Sequence, residues 1–212
     1  MSELLTELAE LGVATVYEAA GRQGLLDLPL QQLLAGSRVA GPALPVMCGQ
    51  GDNLMVHAAI EQIEPGDIVV LTMPEPAPVA LVGDLLVTQM KLKGAAGLLV
   101  DASVRDVDEL IELGLPVWTR FVRVRGASKN GVGTVGEAVT VGGETVRRGD
   151  IVVLDADGAV VVAKERSAEV LEKARARLAK EDGMRARFAA GEISYDIHGL
   201  RAVVEGAGAE EG

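Results

Sequence analysis

The sequence predicts a single α/β domain with helical extensions at both ends. The middle of the chain alternates strand, helix and strand, because GLLVD, VDELIELG and PVWTRFV follow one another. This alternation is typical of a sheet that contains parallel strands, so a parallel or mixed sheet is expected. The next part consists of short apolar runs joined by tight turns, and the turn DADG at 155–158 predicts a hairpin. Helical periodicity at both chain ends completes the fold class.

Composition excludes several classes of partner. The chain has 212 residues, of which 49% are hydrophobic and 24% charged, as expected for a globular domain. Aromatic residues make up only 2%, so stacking platforms for single-stranded nucleic acid are not expected. The net charge of −11 disfavours binding to phosphate backbones and to anionic membranes. A single cysteine and the absence of a basic leader or a long apolar stretch predict a soluble cytoplasmic protein.

The individual elements follow from periodicity and from breaking residues. Apolar residues at helical spacing near the N-terminus predict a helix that ends near Gly12, and proline-glycine pairs mark the turns. In chain order, the patterns predict a second short helix after Thr15, a loop at 21–30, a strand at 37–48, a helix from 54 to Ile63 capped by Asp52 or Asn53, a strand at 67–71, a proline-rich loop to Val79, a helix at 83–93 and a charged helix from Glu165 to about Ala190.

These elements give three segments. Residues 1–164 are predicted to form the α/β core with its N-terminal helices, and residues 165–205 a C-terminal helical extension. Residues 206–212 are rich in glycine and are predicted to be disordered.

Two repeated or motif-like patterns favour a structural explanation. GDIVVL occurs at 66–71 and again at 149–154, and a shared device of a turn followed by a buried strand explains it better than duplication. The run at 131–136 has the spacing GxGxxG, but it lies among short strands with no helix after it. A dinucleotide site needs that helix, so turns are the preferred interpretation.

The residues available for catalysis are carboxylates, arginine and backbone amides. Two histidines, His57 and His198, and one cysteine cannot form a common structural zinc site, and both histidines are interpreted mainly as structural. The sequence contains no P-loop and no GxSxG motif. Charged residues instead stand at the start of a predicted helix, at Asp84, and after a predicted strand, at Arg105-Asp106.

Capping is the simplest explanation of Asp84 and Asp106, since both open predicted helices. Their combination with Arg105 favours a site, because ligands of open α/β sheets bind beyond the carboxyl ends of strands. Carboxylates without imidazole or thiolate suggest a hard cation such as Mg²⁺ or Mn²⁺. The free amides of Leu85 and Leu86 at the helix start suit a substrate carboxylate. Asp101, at the end of GLLVD, is expected to hold the loop in place.

The spacing of these residues resembles a known family. Asp84 and Arg105-Asp106 form a D-X20-R-D arrangement, and GDNLMVHAAIEQIEPGD, VDASVRD, LGLPVW, GDIVVLDADGAVVV and GEISYDIHGLR extend the similarity over 41–201. They are similar to class II pyruvate aldolases acting on 4-hydroxy-4-methyl-2-oxoglutarate and 4-carboxy-4-hydroxy-2-oxoadipate. The resemblance implies the fold of the regulators of ribonuclease E activity, an α/β/β/α sandwich with a mixed sheet related to swivelling domains. It also implies homotrimers or homohexamers with active sites between subunits.

The resemblance implies roles for individual residues. Asp106 would ligate Mg²⁺ or Mn²⁺, and Asp84 would hold water bound to that metal. Arg105 would contact the pyruvate carboxylate and carbonyl oxygen, and the segment Gly83–Leu86 would bind substrate through the Leu85 and Leu86 amides. An acidic residue of the C-terminal helix, Glu181 or, as the weaker candidate, Asp182, would complete the site of a neighbouring subunit.

One observation supports Glu181 independently of the resemblance. Steps of three and four residues from Leu171 through Ala174 and Leu178 arrive at Glu181, which places it on the apolar face of the helix. The competing explanation is that Glu181 belongs to a run of charged residues that is exposed to solvent.

The predicted function is metal-dependent retro-aldol cleavage that yields pyruvate and a second oxo acid. Oxaloacetate decarboxylation is the expected side activity, because both reactions pass through the same enolate. Two alternatives stay open. The first is a non-catalytic regulator of ribonuclease E activity with the same fold, and the second is a Schiff-base aldolase using Lys91 or Lys93.

Overall fold

The computed structural model describes residues 3–209, with side chains to residue 205. Its α-helices are α1 (Glu3–Ala19), α2 (Leu54–Ala59), α3 (Asp84–Leu92), α4 (Val107–Leu113), α5 (Ser167–Ala189), α6 (Ser194–Ile197) and α7 (Leu200–Ala209). Its strands are β1 (Gln31–Gln32), β2 (Val39–Met47), β3 (Ile68–Thr72), β4 (Ala80–Val82), β5 (Gly97–Val104), β6 (Val117–Val122), β7 (Thr134–Val135), β8 (Val139–Val141), β9 (Glu144–Val146), β10 (Ile151–Asp155) and β11 (Gly158–Val162).

One mixed sheet carries the fold. Its strand order is β1-β6-β5-β3-β2-β10-β11, with β4 added beside β5 and β7 beside β2. The strands β2, β3, β5 and β6 are parallel, whereas β1, β10 and β11 are antiparallel to their neighbours. The predicted mixed α/β fold is therefore confirmed, and the DADG turn joins β10 to β11 as a hairpin with Asp155 opposite Gly158.

The sheet curls until it is nearly closed, and three apolar clusters fill the layers. Helices α2, α3 and α4 pack on the outer face of the parallel strands, with Val69, Leu98 and Val100 among the buried contacts. The opposite face, including Leu99 and Trp118, packs against the inner face of β10 and β11 and against the β8–β9 hairpin. Helix α1 and the start of α5 cover the outer face of β10 and β11. Aliphatic side chains dominate all three clusters, as the composition predicts.

The two GDIVVL segments have a common structural cause. Asp67 accepts a hydrogen bond from the Glu64 amide (3.0 Å), and Asp150 accepts one from the Arg147 amide (2.9 Å). Each aspartate thus closes the turn before its strand by bonding the amide three residues earlier. The strands that follow, β3 and β10, lie on either side of β2. The prediction of a shared turn-and-strand device is confirmed.

Helix α1 is interrupted where the sequence predicted an end. Gly12 has φ 81° and ψ 166°, a conformation that favours glycine, and helical geometry resumes at once. The Asp155 carboxylate accepts a hydrogen bond from the Val13 amide (2.8 Å), so a side chain of the β10–β11 hairpin caps the second half of the helix. The helical stretch after Gly12 corresponds to the expected second helix, and it begins at Val13 instead of after Thr15 because the Asp155 carboxylate caps it there.

Helix α5 is the long charged helix that the sequence predicted from Glu165 to about Ala190. The chain divides into two compact units, one ending at Ala174 and one beginning at Arg175. Helix α7 runs to Ala209, so 206–209, for which disorder was predicted, are described as helical, and 210–212 lie outside the described residues. Within 3–209, no helix is long and apolar enough to span a membrane.

Candidate active site

A cavity of about 260 Å³ lies beside the carboxyl ends of β4 and β5. Its walls come from four parts of the first compact unit: the start of α2, the end of β4 with the start of α3, the residue after β5, and the loop that follows β6. All of the predicted substrate-binding residues line it, namely Gly83, Asp84, Leu85, Leu86 and Arg105. Strand–turn–helix connections place these residues together, as expected for this edge of a parallel sheet.

Gly83 has no room for a side chain, because Asp106 and Arg105 lie directly beside its backbone. A Cβ atom at this position would lie 2.2 Å from Asp106 Oδ2 and 3.2 Å from two atoms of the Arg105 side chain. The φ of Gly83 is −142°, which any residue can adopt, so the requirement for glycine is steric. Because no side chain stands here, the backbone of α3 approaches the carboxylate and the guanidinium directly.

The start of α3 presents backbone amides. Gly83 is the N-cap, and Asp84 makes no side-chain capping hydrogen bond, so the capping explanation of Asp84 is wrong. The Asp84 amide donates to Asp106 Oδ2 (3.2 Å), and the first helical hydrogen bond runs from the Val87 amide to the Gly83 carbonyl. The amides of Leu85 and Leu86 therefore have no carbonyl partner within the helix and can bind an anion.

Asp106 has an unusual backbone conformation for its residue type. Its φ of 60° and ψ of 46° lie in the left-handed region, which aspartate tolerates better than most side chains. It is the N-cap of α4 but makes no side-chain capping bond, so capping does not explain it either. The left-handed turn directs the carboxylate to the start of α3, where it is 3.5 Å from Arg105 Nε and one-third exposed.

Arg105 links this corner to the loop after β6. Its amide donates to the Val82 carbonyl (3.2 Å), which fixes the backbone beside β4. A Cβ atom on Gly126 would lie 3.3 Å from Arg105 Nη1, so the guanidinium passes close to the loop backbone. The side chain remains about half exposed, and its donors are therefore accessible to a ligand in the cavity.

The cavity is also lined by polar residues to which the sequence assigned no role in the site. Asn53, His57 and Lys129 line the cavity, with Asn53 at the N-cap of α2 and His57 four residues later in that helix. The spacing of four residues was a usable signal for the pair, although His57 was interpreted as structural. Lys129 had no local signal, because its place depends on how the 126–131 loop folds over α2.

Asp52 fixes that loop. Its buried carboxylate accepts hydrogen bonds from the Leu54 amide (2.8 Å), the Ser128 hydroxyl (2.5 Å) and the Asn130 amide (2.6 Å). Burial opposes the charge, but these donors outweigh it and hold the pKa of Asp52 below its usual range. Asn53 occupies the N-cap position, whereas Asp52 bonds the first-turn amide, so Asp52 performs the predicted capping function.

Asp101 lies apart from the cavity. It is 3% exposed and pairs with Arg120, with 2.9 Å between Oδ1 and Nε. Burial raises the pKa of its carboxyl, and Arg120 opposes that shift. The prediction that Asp101 has a supporting role remains, but its partner is a strand residue of β6 and not the loop.

Residues of the second unit are described separately. Glu181 pairs with Arg177 (2.9 Å) and Arg185 (3.4 Å), and Asp182 pairs with Arg185 (2.7 Å). His198 is exposed. The role of Glu181 or Asp182 in a neighbouring subunit stays a prediction.

The other nucleophile candidates lie outside the cavity wall. Lys91 and Lys93 are exposed at the opposite end of α3 from Asp84. Lys91 donates to the Leu113 carbonyl, which suits a cation at a helix C-terminus. Burial, reinforced by the Asp52 charge, raises the pKa of the Cys48 thiol to about 12, so a thiolate nucleophile is disfavoured.

The donor set fits a hydrated hard cation. Among residues 3–209, no three His, Cys, Asp or Glu side chains lie close enough to form a protein cage for a metal. Asp106 offers an accessible carboxylate, and Asp84 lies next to it through the 3.2 Å backbone contact. Mg²⁺ and Mn²⁺ are commonly held through one or two carboxylates with water completing the shell, so the residues present fit such an ion.

Comparison with known proteins shows the following similarities. The sequence model of the family described as "RraA-like: Aldolase/RraA" matches residues 13–161. A protein of Halalkalibacterium halodurans named "Putative 4-hydroxy-4-methyl-2-oxoglutarate aldolase" is 30% identical over 203 residues, which cover 96% of this chain and 94% of that protein.

Two solved structures have similar folds. Streptomyces coelicolor RraAS2, described as an unusual member of the RNase ES inhibitor RraA protein family, has a TM-score of 0.78 and 30% identity, covering 87% of this chain and 96% of that chain. An uncharacterized protein from Pseudomonas syringae pv. tomato has a TM-score of 0.79 and 25% identity, covering 90% and 94%.

Proposed function

The chain belongs to the RraA-like family, and on that premise we propose that it is a metal-dependent aldolase that cleaves 4-hydroxy-2-oxo acids to pyruvate. The observation that carries the proposal is the corner around Gly83, where Asp106, Arg105 and the first amides of α3 meet beside one cavity. The aldolase name of the Halalkalibacterium halodurans relative supports the same class of reaction. The substrates proposed are 4-hydroxy-4-methyl-2-oxoglutarate and 4-carboxy-4-hydroxy-2-oxoadipate.

Substrate binding uses the anion-binding groups of the corner. The amides of Leu85 and Leu86 would bind the carboxylate of the 2-oxo acid, and Arg105 would bind that carboxylate and the adjacent carbonyl oxygen. The cavity also contains the cation Lys129, so it favours an anion with more than one carboxylate. Both proposed substrates meet that requirement.

Bond cleavage requires stabilisation of negative charge at the 2-oxo oxygen. A divalent ion held by Asp106 would supply positive charge that polarises this carbonyl group. Arg105 donates hydrogen bonds to the same oxygen, which strengthen as the pyruvate enolate forms. Asp84 holds water that carries protons between the hydroxyl of the substrate and the enolate carbon. Oxaloacetate decarboxylation uses the same enolate, and we propose it as a side activity.

A coupled assay for pyruvate release tests this function. We expect turnover of a 4-hydroxy-2-oxo acid with Mg²⁺ or Mn²⁺, loss of turnover with EDTA, and recovery when the metal is restored. Arg105→Ala is expected to abolish turnover, with Arg123→Ala as a matched control because Arg123 is exposed and does not line the cavity. Full activity in Arg105→Ala would contradict the assignment. Borohydride trapping with pyruvate would favour the Schiff-base alternative.

We propose further that the site is shared between subunits of a trimer or hexamer through Glu181. The test mixes inactive Arg105→Ala chains with inactive Glu181→Gln chains. If each site combines Arg105 of one chain with Glu181 of its neighbour, equal mixing restores about a quarter of the wild-type activity. No recovery after verified subunit exchange would contradict a shared site.

The alternative function is regulation of a ribonuclease by docking. The 30% identity and the fold similarity to RraAS2, a member of an RNase inhibitor family by its description, favour this candidate. The coupled assay separates the two functions when combined with a pull-down of a ribonuclease of the E type. Specific binding without turnover of any oxo acid would favour the regulator.

A further inference from the structure

Lys129 is a cation of the cavity wall that has no acidic partner. Its side chain is exposed, and among the described residues no carboxylate lies within ion-pair distance of its ammonium group. Arg105, the other Lys or Arg residue of the wall, is 3.5 Å from Asp106. The segment 120–133 contains four Lys or Arg residues and no Asp or Glu, in a chain with a net charge of −11. This part of the wall therefore favours an anion.

The backbone on both sides of Lys129 is fixed. The Ser128 amide donates to the Gly51 carbonyl (3.0 Å), and the Ser128 hydroxyl donates to the buried Asp52 carboxylate (2.5 Å). The Asn130 amide donates to the same carboxylate (2.6 Å). The lysine side chain therefore starts from a fixed point of the wall, while its flexible four-carbon stem lets the ammonium group adjust to a ligand.

Lys129 belongs to a different part of the wall from the groups proposed to bind the pyruvate half of the substrate. Those groups, Arg105 and the first amides of α3, lie around Gly83, whereas the loop of Lys129 is hydrogen bonded to residues 51–53 before α2. With C1 and the 2-oxo oxygen held at the Gly83 corner, C3 and C4 extend into the remaining cavity. The groups on C4 are then the part of the substrate that is available to Lys129.

The chemistry of the ammonium group selects among the groups on C4. Both proposed substrates have a carboxylate attached to C4, beside the hydroxyl group. An ammonium group donates three hydrogen bonds and accepts none, so a carboxylate is its best partner. We propose that Lys129 is a specificity-determining residue whose ammonium group binds the carboxylate on C4. This inference rests on the proposed retro-aldol function and names the residue that recognises the second half of the substrate.

Retro-aldol cleavage leaves the charge beside this cation unchanged. The hydroxyl proton passes to water, the C3–C4 electron pair forms the pyruvate enolate, and a proton from water returns to C3. The carboxylate on C4 stays charged throughout and leaves with the second oxo acid. A cation beside it stabilises the bound substrate and the transition state equally, so it lowers KM and leaves kcat unchanged.

Decarboxylation of oxaloacetate removes that charge, because C4 of oxaloacetate is itself the carboxylate that leaves. When the C3–C4 bond breaks, its electron pair forms the enolate, the carboxylate becomes neutral CO2, and a proton from water goes to C3. A cation at C4 stabilises the charged substrate more than the transition state and therefore slows this reaction. Lys129 thus favours retro-aldol cleavage over the proposed side activity.

Binding of two substrate analogues tests the contact without turnover. 2-Oxoglutarate and 2-oxopentanoate have the same five-carbon chain, but the first ends in a carboxylate and the second in a methyl group. Calorimetric titration with Mg²⁺ present should show that wild type binds 2-oxoglutarate more tightly. In Lys129→Met we expect the affinity for 2-oxoglutarate to fall about 10-fold, as for loss of one charge-assisted hydrogen bond, with no change for 2-oxopentanoate. Lys129→Arg should keep the affinity.

The kinetic test measures kcat and KM of both reactions in the same variants. For 4-hydroxy-4-methyl-2-oxoglutarate, Lys129→Met should raise KM about 10-fold with kcat unchanged. For oxaloacetate, kcat should rise by up to about 10-fold, because the charged ground state is no longer favoured over the transition state. Lys164→Met is the matched control, because Lys164 is also exposed and does not line the cavity.

Three results would overturn the inference: an unchanged affinity of Lys129→Met for 2-oxoglutarate, an equal loss of affinity for the two analogues, or a fall of kcat in both reactions. Wild-type behaviour of Lys129→Arg would show that a change of fold does not cause the effects of Lys129→Met. Failure of the proposed function gives a different result, because wild type would then cleave no 4-hydroxy-2-oxo acid, while the titrations would still test the contact of Lys129.

Discussion

Asp52 and Asp106 are both close to the cavity, yet their carboxylates have different environments. Asp52 is 2% exposed, and two amides and a hydroxyl donate to it. Asp106 is one-third exposed and accepts one hydrogen bond, from the Asp84 amide, among the described residues. The acceptor capacity of Asp52 is occupied by its own chain, whereas that of Asp106 is mostly available. Sequence position does not reveal this difference, because both residues precede a helix.

The contrast separates structural carboxylates from functional ones. Asp67, Asp150 and Asp155 belong with Asp52, since each is buried and accepts a backbone amide. Asp106 also has a left-handed backbone, and such conformations are concentrated at functional sites. A carboxylate with available acceptors on a constrained backbone is thus the better candidate for ligand binding.

The largest effect is expected for Asp106→Asn. Asparagine tolerates the left-handed backbone but removes the charge needed for a divalent ion. We expect pyruvate release to fall by about 10³-fold, with the thermal midpoint nearly unchanged. The measurement is the coupled assay beside a thermal unfolding curve. If Asp106→Asn is active, or is inactive only because it unfolds, then Asp106 is not a functional carboxylate in contrast to the structural carboxylate of Asp52.

Gly83→Ala tests the same corner without changing any charge. The new Cβ would lie 2.2 Å from Asp106 Oδ2, so the carboxylate or the start of α3 must move. A displacement of about 1 Å at a reacting group lowers activity by about 10²-fold. Gly183→Ala is the control, because Gly183 lies in helix α5 with open space around an added Cβ atom. Gly143→Ala is not suitable, because the φ of Gly143 is positive. Wild-type kcat/KM in Gly83→Ala would show that the close approach is not required.

Asp52→Asn is expected to change stability and its dependence on pH. The pKa of Asp52 is lowered in the folded protein, so its stabilising contribution is fully present above the unfolded value of 3.8, declines below it and is lost as the pH falls through the lower folded value. The thermal midpoint of the variant should be below that of wild type near neutral pH. The gap should narrow as the pH approaches about 3. A gap that is constant with pH would show that the Asp52 charge does not stabilise the fold.

The sequence was sufficient for features that depend on local patterns. Alternating apolar segments predicted the mixed sheet, and DADG predicted the β10–β11 hairpin. The resemblance to the aldolase family, through the D-X20-R-D arrangement, pointed to Asp84 and Arg105-Asp106 as parts of one site. Contacts between distant segments were not predictable in the same way. The capping of α1 by Asp155 joins residues 142 positions apart, and Lys129 is placed at the cavity by a loop that is hydrogen bonded to residues 51–53. The hydrogen bond from Asn53 Nδ2 to the Leu81 carbonyl likewise joins two separate segments of the chain.

The smallest effect is expected for Asp150→Asn, which extends the comparison to the GDIVVL turns. Asparagine keeps an oxygen that can accept the Arg147 amide, so the turn survives, but the second hydrogen bond, from the Lys164 amide at 3.3 Å, is lost because the new NH2 group is a donor. We expect a loss of about 1 kcal/mol, seen as a decrease of about 2–4 °C in the thermal midpoint. Asp150→Ala removes both acceptors and should cost more. Pyruvate release should be unaffected by either substitution, because Asp150 lies outside the cavity wall. A selective loss of turnover in Asp150→Asn would mean that a carboxylate bonded to its own backbone can still serve catalysis, which would remove the criterion that distinguishes Asp106.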